Sequence, residues 1–240
     1  MSPSTRRTSV RVIGLWLFAL AATTFAQIQQ PQLGVMLAAD HSARPVYGVT
    51  SSVTIGNPAA TGVLSIGCSK LLCLMKTDSS ILSPTGVAAA PSGPALFSFD
   101  GNSALIYFPA THQLMRWNAD QLTPVELELA GEILAVGKAT FAIRNAAGTW
   151  IVAPDNTILQ SLRGATGPVL LLDSRVLFVT PTELILRRPD GSELQFAVDQ
   201  VESLSWLGQN YVQARTRGSS YAVRIDPGHE RMFLLPEPAQ

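Results

Sequence analysis

The stretch Thr149 to Leu162, TWIVAPDNTILQSL, reads as two short strands folded about Pro154-Asp155-Asn156. The same arrangement returns in Thr182 to Phe196, TELILRRPDGSELQF, about Pro189-Asp190-Gly191. In both turns proline fixes its own φ, aspartate can bond the local backbone, and Asn or Gly accepts the left-handed conformation of a tight reversal. Asp155 and Asp190 stand 35 residues apart, a period that belongs to repeat arrays.

Extended both ways, the template predicts turns at Asp40, Asp78, Asp120, Asp155, Asp190 and Asp226, spaced by 38, 42, 35, 35 and 36 residues. Six of the chain's nine aspartates fall on this ladder, too many for accident. Five residues before each turn stand Val35, Cys73, Met115, Trp150, Ile185 and Tyr221; three before stand Leu37, Met75, Trp117, Val152, Arg187 and Val223. Two apolar positions a dipeptide apart are one buried face of a strand. Arg187 breaks the pattern, so the repeat is expected to be weakest or most exposed there.

Between the turns the sequence predicts further strand pairs. Ala95 to Phe99 with Ala104 to Phe108 are joined by Asp100-Gly101-Asn102, a strong hairpin signal. Glu132 to Val136 with Thr140 to Arg144, Val169 to Leu172 with Arg175 to Thr180, and Ser203 to Leu207 with Asn210 to Arg215 follow. Val49 to Ile55 and Gly62 to Ile66, divided by Asn57-Pro58, make a less regular first interval. Each period then holds an inner, second, third and outer strand, with the Asp turn joining the last two.

Four antiparallel strands every 35 to 42 residues make the blade of an all-β propeller. In period and strand pattern, residues 33 to 235 resemble the Trp-Asp-repeat and related bacterial propeller families. No Trp-Asp or Gly-His pair recurs, so the resemblance implies an architecture and carries no functional residues across. The expectation is five complete blades plus an N-terminal hairpin, Leu33 to Ala39 with Pro45 to Val49, for a ring of five or six. That hairpin either starts a sixth blade or covers an open sheet edge. A Greek-key sandwich needs no fixed period, which counts against it.

The first 26 residues read as a signal peptide. Arg6, Arg7 and Arg11 precede the apolar run Val12 to Ala22, and Thr24-Phe25-Ala26 offers small residues at a cleavage site. The remainder, 27 to 240, is expected to be one propeller domain, exported to the periplasm or secreted, with no stable membrane anchor after cleavage. Removing those three arginines leaves fourteen basic against seventeen acidic residues, a formal charge of −3. Nucleic acid is therefore an unexpected partner, because phosphate binding needs clustered positive charge.

Cys68 and Cys73 flank a four-residue connection, and an oxidising compartment makes them a disulfide candidate. Closing so short a loop stabilises modestly, by about 2 kcal/mol. The alternative is a pair of buried thiols. His41 and His229 follow turn aspartates while His112 lies at a second-to-third connection, so no three-histidine site is expected. One Asp per turn lacks the alternating oxygen ligands of a calcium loop. No metal, cofactor or catalytic residue is assigned, and no nucleophile elbow, zinc helix or phosphate loop is present. Trp117, Trp150 and Trp206 are expected in the core.

Loops on a rigid ring are where binding groups usually sit. His112, Arg163, Arg215 and Arg217 fall on one predicted face and are the candidate binding residues, for an anionic group of a protein or extracellular polymer. The functional expectation is a non-catalytic binding or scaffolding module. Its rival is a propeller hydrolase, of lactonase or glycan-cleaving type, with its site at the central channel mouth. That rival needs converging acids on the innermost strands, where only Glu132 and Asp173 are carboxylates.

Overall fold

The structure is a computed structural model that describes residues 30–49 and 52–236; the leader expected over 1–26 lies outside them. The described residues form six antiparallel sheets and no helix. The first sheet holds β1 (Gln32–Leu37), β2 (Ala43–Val49) and β3 (Ser52–Ile55). The second holds β4 (Ser65–Cys68), β5 (Cys73–Lys76), β6 (Ser80–Leu82) and β7 (Val87–Ala89). The third holds β8 (Leu96–Asp100), β9 (Ser103–Phe108), β10 (Gln113–Asn118) and β11 (Gln121–Val125). The fourth holds β12 (Glu132–Val136), β13 (Phe141–Asn145), β14 (Gly148–Val152) and β15 (Ile158–Ser161). The fifth holds β16 (Val169–Leu172), β17 (Arg175–Val179), β18 (Glu183–Arg187) and β19 (Glu193–Ala197). The sixth holds β20 (Val201–Gly208), β21 (Tyr211–Thr216), β22 (Ser220–Arg224) and β23 (Arg231–Leu234).

This is a six-sheet β-propeller. The innermost β16, VLLL, is buried on both faces and reads as an apolar run, whereas the outermost β19, ELQFA, alternates between exposed and half-buried. One apolar layer fills each gap between neighbouring sheets. Leu172, Leu177 and Val212 belong to the layer between the fifth and sixth sheets; Met36, Leu207 and Ala222 belong to the one that joins the sixth back to the first.

The turn chemistry read from the sequence is present. Asn156 and Gly191 have φ of 66° and 82°. Asp155 accepts a hydrogen bond from the Thr157 N–H at 3.0 Å, and Asp190 from that of Ser192 at 2.9 Å. Asp120, Asp155, Asp190 and Asp226 join third to outer strands as expected. Asp78 and Asp40 do not: Asp78 joins β5 to β6, and Asp40 joins β1 to β2. The reason lies between Asp78 and Asp120, where β6 and β7 are only three residues each and an additional strand fits. Pro84, Gly86, Pro91 and Gly93 make that segment read as a loop.

Arg187 is a second correction. Its side chain is only 13% exposed. The guanidinium carbon lies 5.0 Å from the Phe178 ring centroid, and Nη1 donates to the Ser161 carbonyl of the neighbouring sheet at 2.8 Å. The arginine stem replaces an apolar side chain at that position, and its head bonds across the gap between sheets.

The N-terminal hairpin starts a sheet of three strands, with Val49 to Ile55 contributing its outer strand β3 rather than an inner one. Gly34 of β1 abuts Leu207 near the end of β20, while Leu37 is bonded to Gln213, whose cross-strand partner is Ser205. β1 therefore runs antiparallel to β20, in the direction of a second strand. The first sheet has no innermost strand, and β20 and β4 pack against each other in its place.

The seam between first and sixth sheets is built from backbone. A Cβ on Gly34 would stand 1.7 Å from the Leu207 carbonyl oxygen, and one on Gly208 2.1 Å from that of Leu33, so only glycine fits at either position. Beside them the buried Gln213 amide completes both backbone groups of Leu37: its oxygen accepts from the Leu37 N–H at 2.9 Å, and its nitrogen donates to the Leu37 carbonyl at 2.8 Å. One side chain thus does the work of a missing ladder rung.

Two features of the second sheet are local. Cys68 and Cys73 are directly opposed across the β4–β5 hairpin, 4.0 Å apart at Cα, with their sulfurs at bonding distance. Lys76 is 0% exposed. Its ammonium donates to the carbonyls of Thr77 and Asp78 and faces the Phe108 ring, and burial pulls its pKa below the usual lysine value.

Two outcomes test this account. Gln213→Leu leaves both Leu37 backbone groups buried and unpaired and should cost about 2–4 kcal/mol in urea unfolding, with little change in slope; a loss under about 0.5 kcal/mol would show that the clasp is dispensable. Intact-mass measurement of the protein purified without reductant should show no alkylation at Cys68 or Cys73 until a reductant is added, and alkylation without it would show free thiols.

Candidate functional site

Chain direction sorts the connections between two faces. Turns from innermost to second strand and from third to outer strand share one face, the hairpin face. Turns from second to third strand and the crossings between sheets share the other, the crossover face. His112, Arg163, Arg215 and Arg217 all belong to the crossover face, because the β9–β10 turn, the β15–β16 crossing and the β21–β22 turn open there. They do not form one cluster.

Arg215 and Arg217 line a cavity of about 360 Å³ between the first and sixth sheets, together with Asp40, Arg44 and Ser219. β21 turns Gln213 and Arg215 toward the first sheet and Val212 and Ala214 toward the fifth, and Arg217 follows in the β21–β22 turn. Asp40 is satisfied by its own turn. The Ser42 hydroxyl, the Ser42 N–H and Arg44 all donate to it and lower its pKa to about 2, the hydroxyl contributing most. Arg217 is exposed. Arg215 differs from both: its Nε is buried and has no hydrogen-bond partner among the described residues.

His112 lines a separate cavity of about 690 Å³ between the third and fourth sheets, with Tyr107, Glu126 and Glu128. Its Nδ1 lies 3.1 Å from the Tyr107 hydroxyl, and burial, reinforced by the charge of Glu132, raises the tyrosine's pKa. Arg163 is exposed on the β15–β16 crossing and lines neither cavity.

The axis holds a third cavity, of about 320 Å³, to which all six sheets contribute, among them Leu37, Ile66, Phe97, Val136, Leu170 and Trp206. Arg215 borders it as well as the cavity at the seam. Trp206 also lines the mouth on the hairpin face, a space of about 450 Å³ walled by Lys70, Phe99, Lys138 and Asp173. There Lys138 reaches Asp173 at 3.0 Å and Asp100 at 3.7 Å, and its pKa is raised, first by the hydrogen bond to Asp173.

Glu132 and Asp173, the two carboxylates that the sequence assigned to innermost strands, do not converge; β8 and β20 add Asp100 and Glu202, and of these Asp100 shares Lys138 with Asp173. Glu132 begins β12 at the crossover face and lies 3.9 Å from Arg144; Asp173 follows β16 at the hairpin face, against Lys138. His41 sits on the crossover face, where its Nδ1 approaches the Val63 carbonyl at 3.2 Å, and so is separated from His229, with which the sequence had grouped it. Among the described residues no three His, Cys, Asp or Glu side chains are grouped as a metal site would require. Sequence reading missed the Gln213 clasp and placed Trp206 wholly in the core. The period-2 run Gln213, Arg215, Arg217 was the available signal.

Comparison with protein-family profiles and with curated protein sequences finds no match. Among solved structures the fold is well represented. One similar structure is PorZ, a surface component of the type-IX secretion system of Porphyromonas gingivalis, at 13% identity and a TM-score of 0.51. The match covers 87% of this chain but 38% of the PorZ chain, so this chain spans well under half of that relative. A chain of a nidogen–laminin complex matches at 11% identity and a TM-score of 0.55, covering 85% of this chain and 93% of that one. At these identities the likeness shows the propeller fold and nothing about ligand or reaction.

Proposed function

We propose that this chain is an exported, non-catalytic propeller that binds an anionic group of a protein or extracellular polymer on its crossover face. The observation that carries the reading is the pair Arg215 and Arg217 at the seam cavity, with Arg215 lacking a hydrogen-bond partner at its buried Nε among the described residues. The acid beside them, Asp40, is already engaged by Ser42 and Arg44. Export rests on the leader sequence, and among the described residues no helix is long and apolar enough to cross a membrane.

The hydrolase reading keeps the central channel as its site. It is supported less well, because Glu132 and Asp173 lie at opposite ends, and the two acids at the hairpin-face mouth, Asp173 and Asp100, are both paired with Lys138. Two carboxylates that share a reacting bond must stand within a few ångströms of it.

A pull-down from the native culture with wild type and with Arg163→Ser/Arg217→Ser tests the binding face. Both arginines are exposed, so the variant should fold normally while losing about tenfold or more in affinity for the captured partner. Undiminished capture would count against the crossover face.

A further inference from the structure

We propose that the axial cavity is a binding site for a small apolar monocarboxylate, whose carboxylate pairs with Arg215 and whose hydrocarbon body fills the space among the inner strands. Four observations lead there. The walls are mostly apolar, with every sheet contributing and Ile66, Phe97, Val136 and Leu170 among them, and are interrupted by three serines and the Gln213 amide. Arg215 is the one ionisable group in that lining, and no carboxylate is among its residues. Its Nε is the buried side-chain polar atom without a partner among the described residues. Ser203, directly opposite Arg215 in the β20–β21 register, adds a hydroxyl at the same end of the cavity.

The chemistry of arginine narrows the occupant. A buried lysine relieves an unpaired charge by releasing its proton, but a guanidinium stays charged at any physiological pH. Arg215 therefore favours an anion that supplies the missing acceptor. One cation calls for one negative charge. Phosphate or sulfate would bring more negative charge than one cation offsets, and the lining adds three serine hydroxyls but no second cation, whereas a carboxylate meets the guanidinium fork with two oxygens and leaves its other end free to be apolar. A volume of about 320 Å³ lies at the small end of ligand cavities, which suits a short aliphatic or aromatic acid rather than a polymer. This inference rests on reading Arg215 as a ligand-binding cation, but it is independent of Arg163 and Arg217.

Calorimetric titration of the full mature chain with octanoate, octan-1-ol and inorganic phosphate tests it, with Trp206 fluorescence as a second readout because that indole lines the cavity. Octanoate should bind saturably, and octan-1-ol and phosphate should bind at least about tenfold more weakly. Arg215→Met should weaken octanoate by about tenfold or more, and Arg215→Lys by less. Ser203→Asp places a carboxylate opposite Arg215; it should abolish octanoate binding and raise the melting temperature, which keeps the test decisive if Arg215→Met fails to fold. Equal binding of octan-1-ol and octanoate, octanoate binding that survives Ser203→Asp, or no octanoate binding to wild type would each overturn the proposal. Arg163→Ser/Arg217→Ser should bind octanoate like wild type. If that variant loses its captured partner while wild type ignores octanoate, the crossover-face reading stands and this one falls.

Discussion

A ring of sheets exists only if its two ends meet, and here they meet where the Gly34 and Leu207 backbones approach too closely for any side chain. The apolar layer at this seam contains five fully buried residues, against twelve between the fifth and sixth sheets. The gap between the first and second sheets also holds five, so hydrophobic burial is thin on both flanks of the first sheet. What compensates is specific: two glycines that admit backbone contact, and the Gln213 amide that satisfies Leu37 on both sides. Directional bonds of this kind add little net stability when formed and are costly when half removed. They therefore fix the register of closure more than they add to its strength.

Much of this was legible in the sequence because turns are local. Asp155 and Asp190 bond the backbone two residues on, Asn156 and Gly191 take the left-handed conformation, and neither feature needs tertiary knowledge. Where the reading slipped, strands were short or non-local contacts decided. β6 and β7 have three residues each, too few for a period-2 pattern to stand out among prolines and glycines. The missing innermost strand of the first sheet follows from chain direction across the ring, which no local pattern carries. Arg187 looked like a flaw because a charge in an apolar column usually signals exposure. Its stem and its head are used differently, and only the neighbouring sheet reveals that.

The candidate binding residues show the same division. Sequence assigned all four to one face, which follows from strand order. It could not show that Arg215 and Arg217 share a wall while His112 lies three gaps away beside Tyr107. Nor could it separate an arginine with an internal partner, such as Arg44, from one with none at its buried nitrogen, such as Arg215. That distinction depends on which acids the ring brings nearby, and Asp40 is committed to its own turn before Arg215 arrives.

The bond between Leu37 and Gln213 spans 176 residues of chain. During synthesis, then, the first sheet is complete long before anything can cover its inner edge, and an uncovered edge recruits other strands. Each later sheet can settle on its predecessor as it emerges, but the circle stays open until β21 is made. Folding should end with a slow, long-range step, since contacts of such separation form late. A chain held extended until it has left the cell's interior avoids that exposure, which gives passage in an unfolded state a physical advantage for this topology.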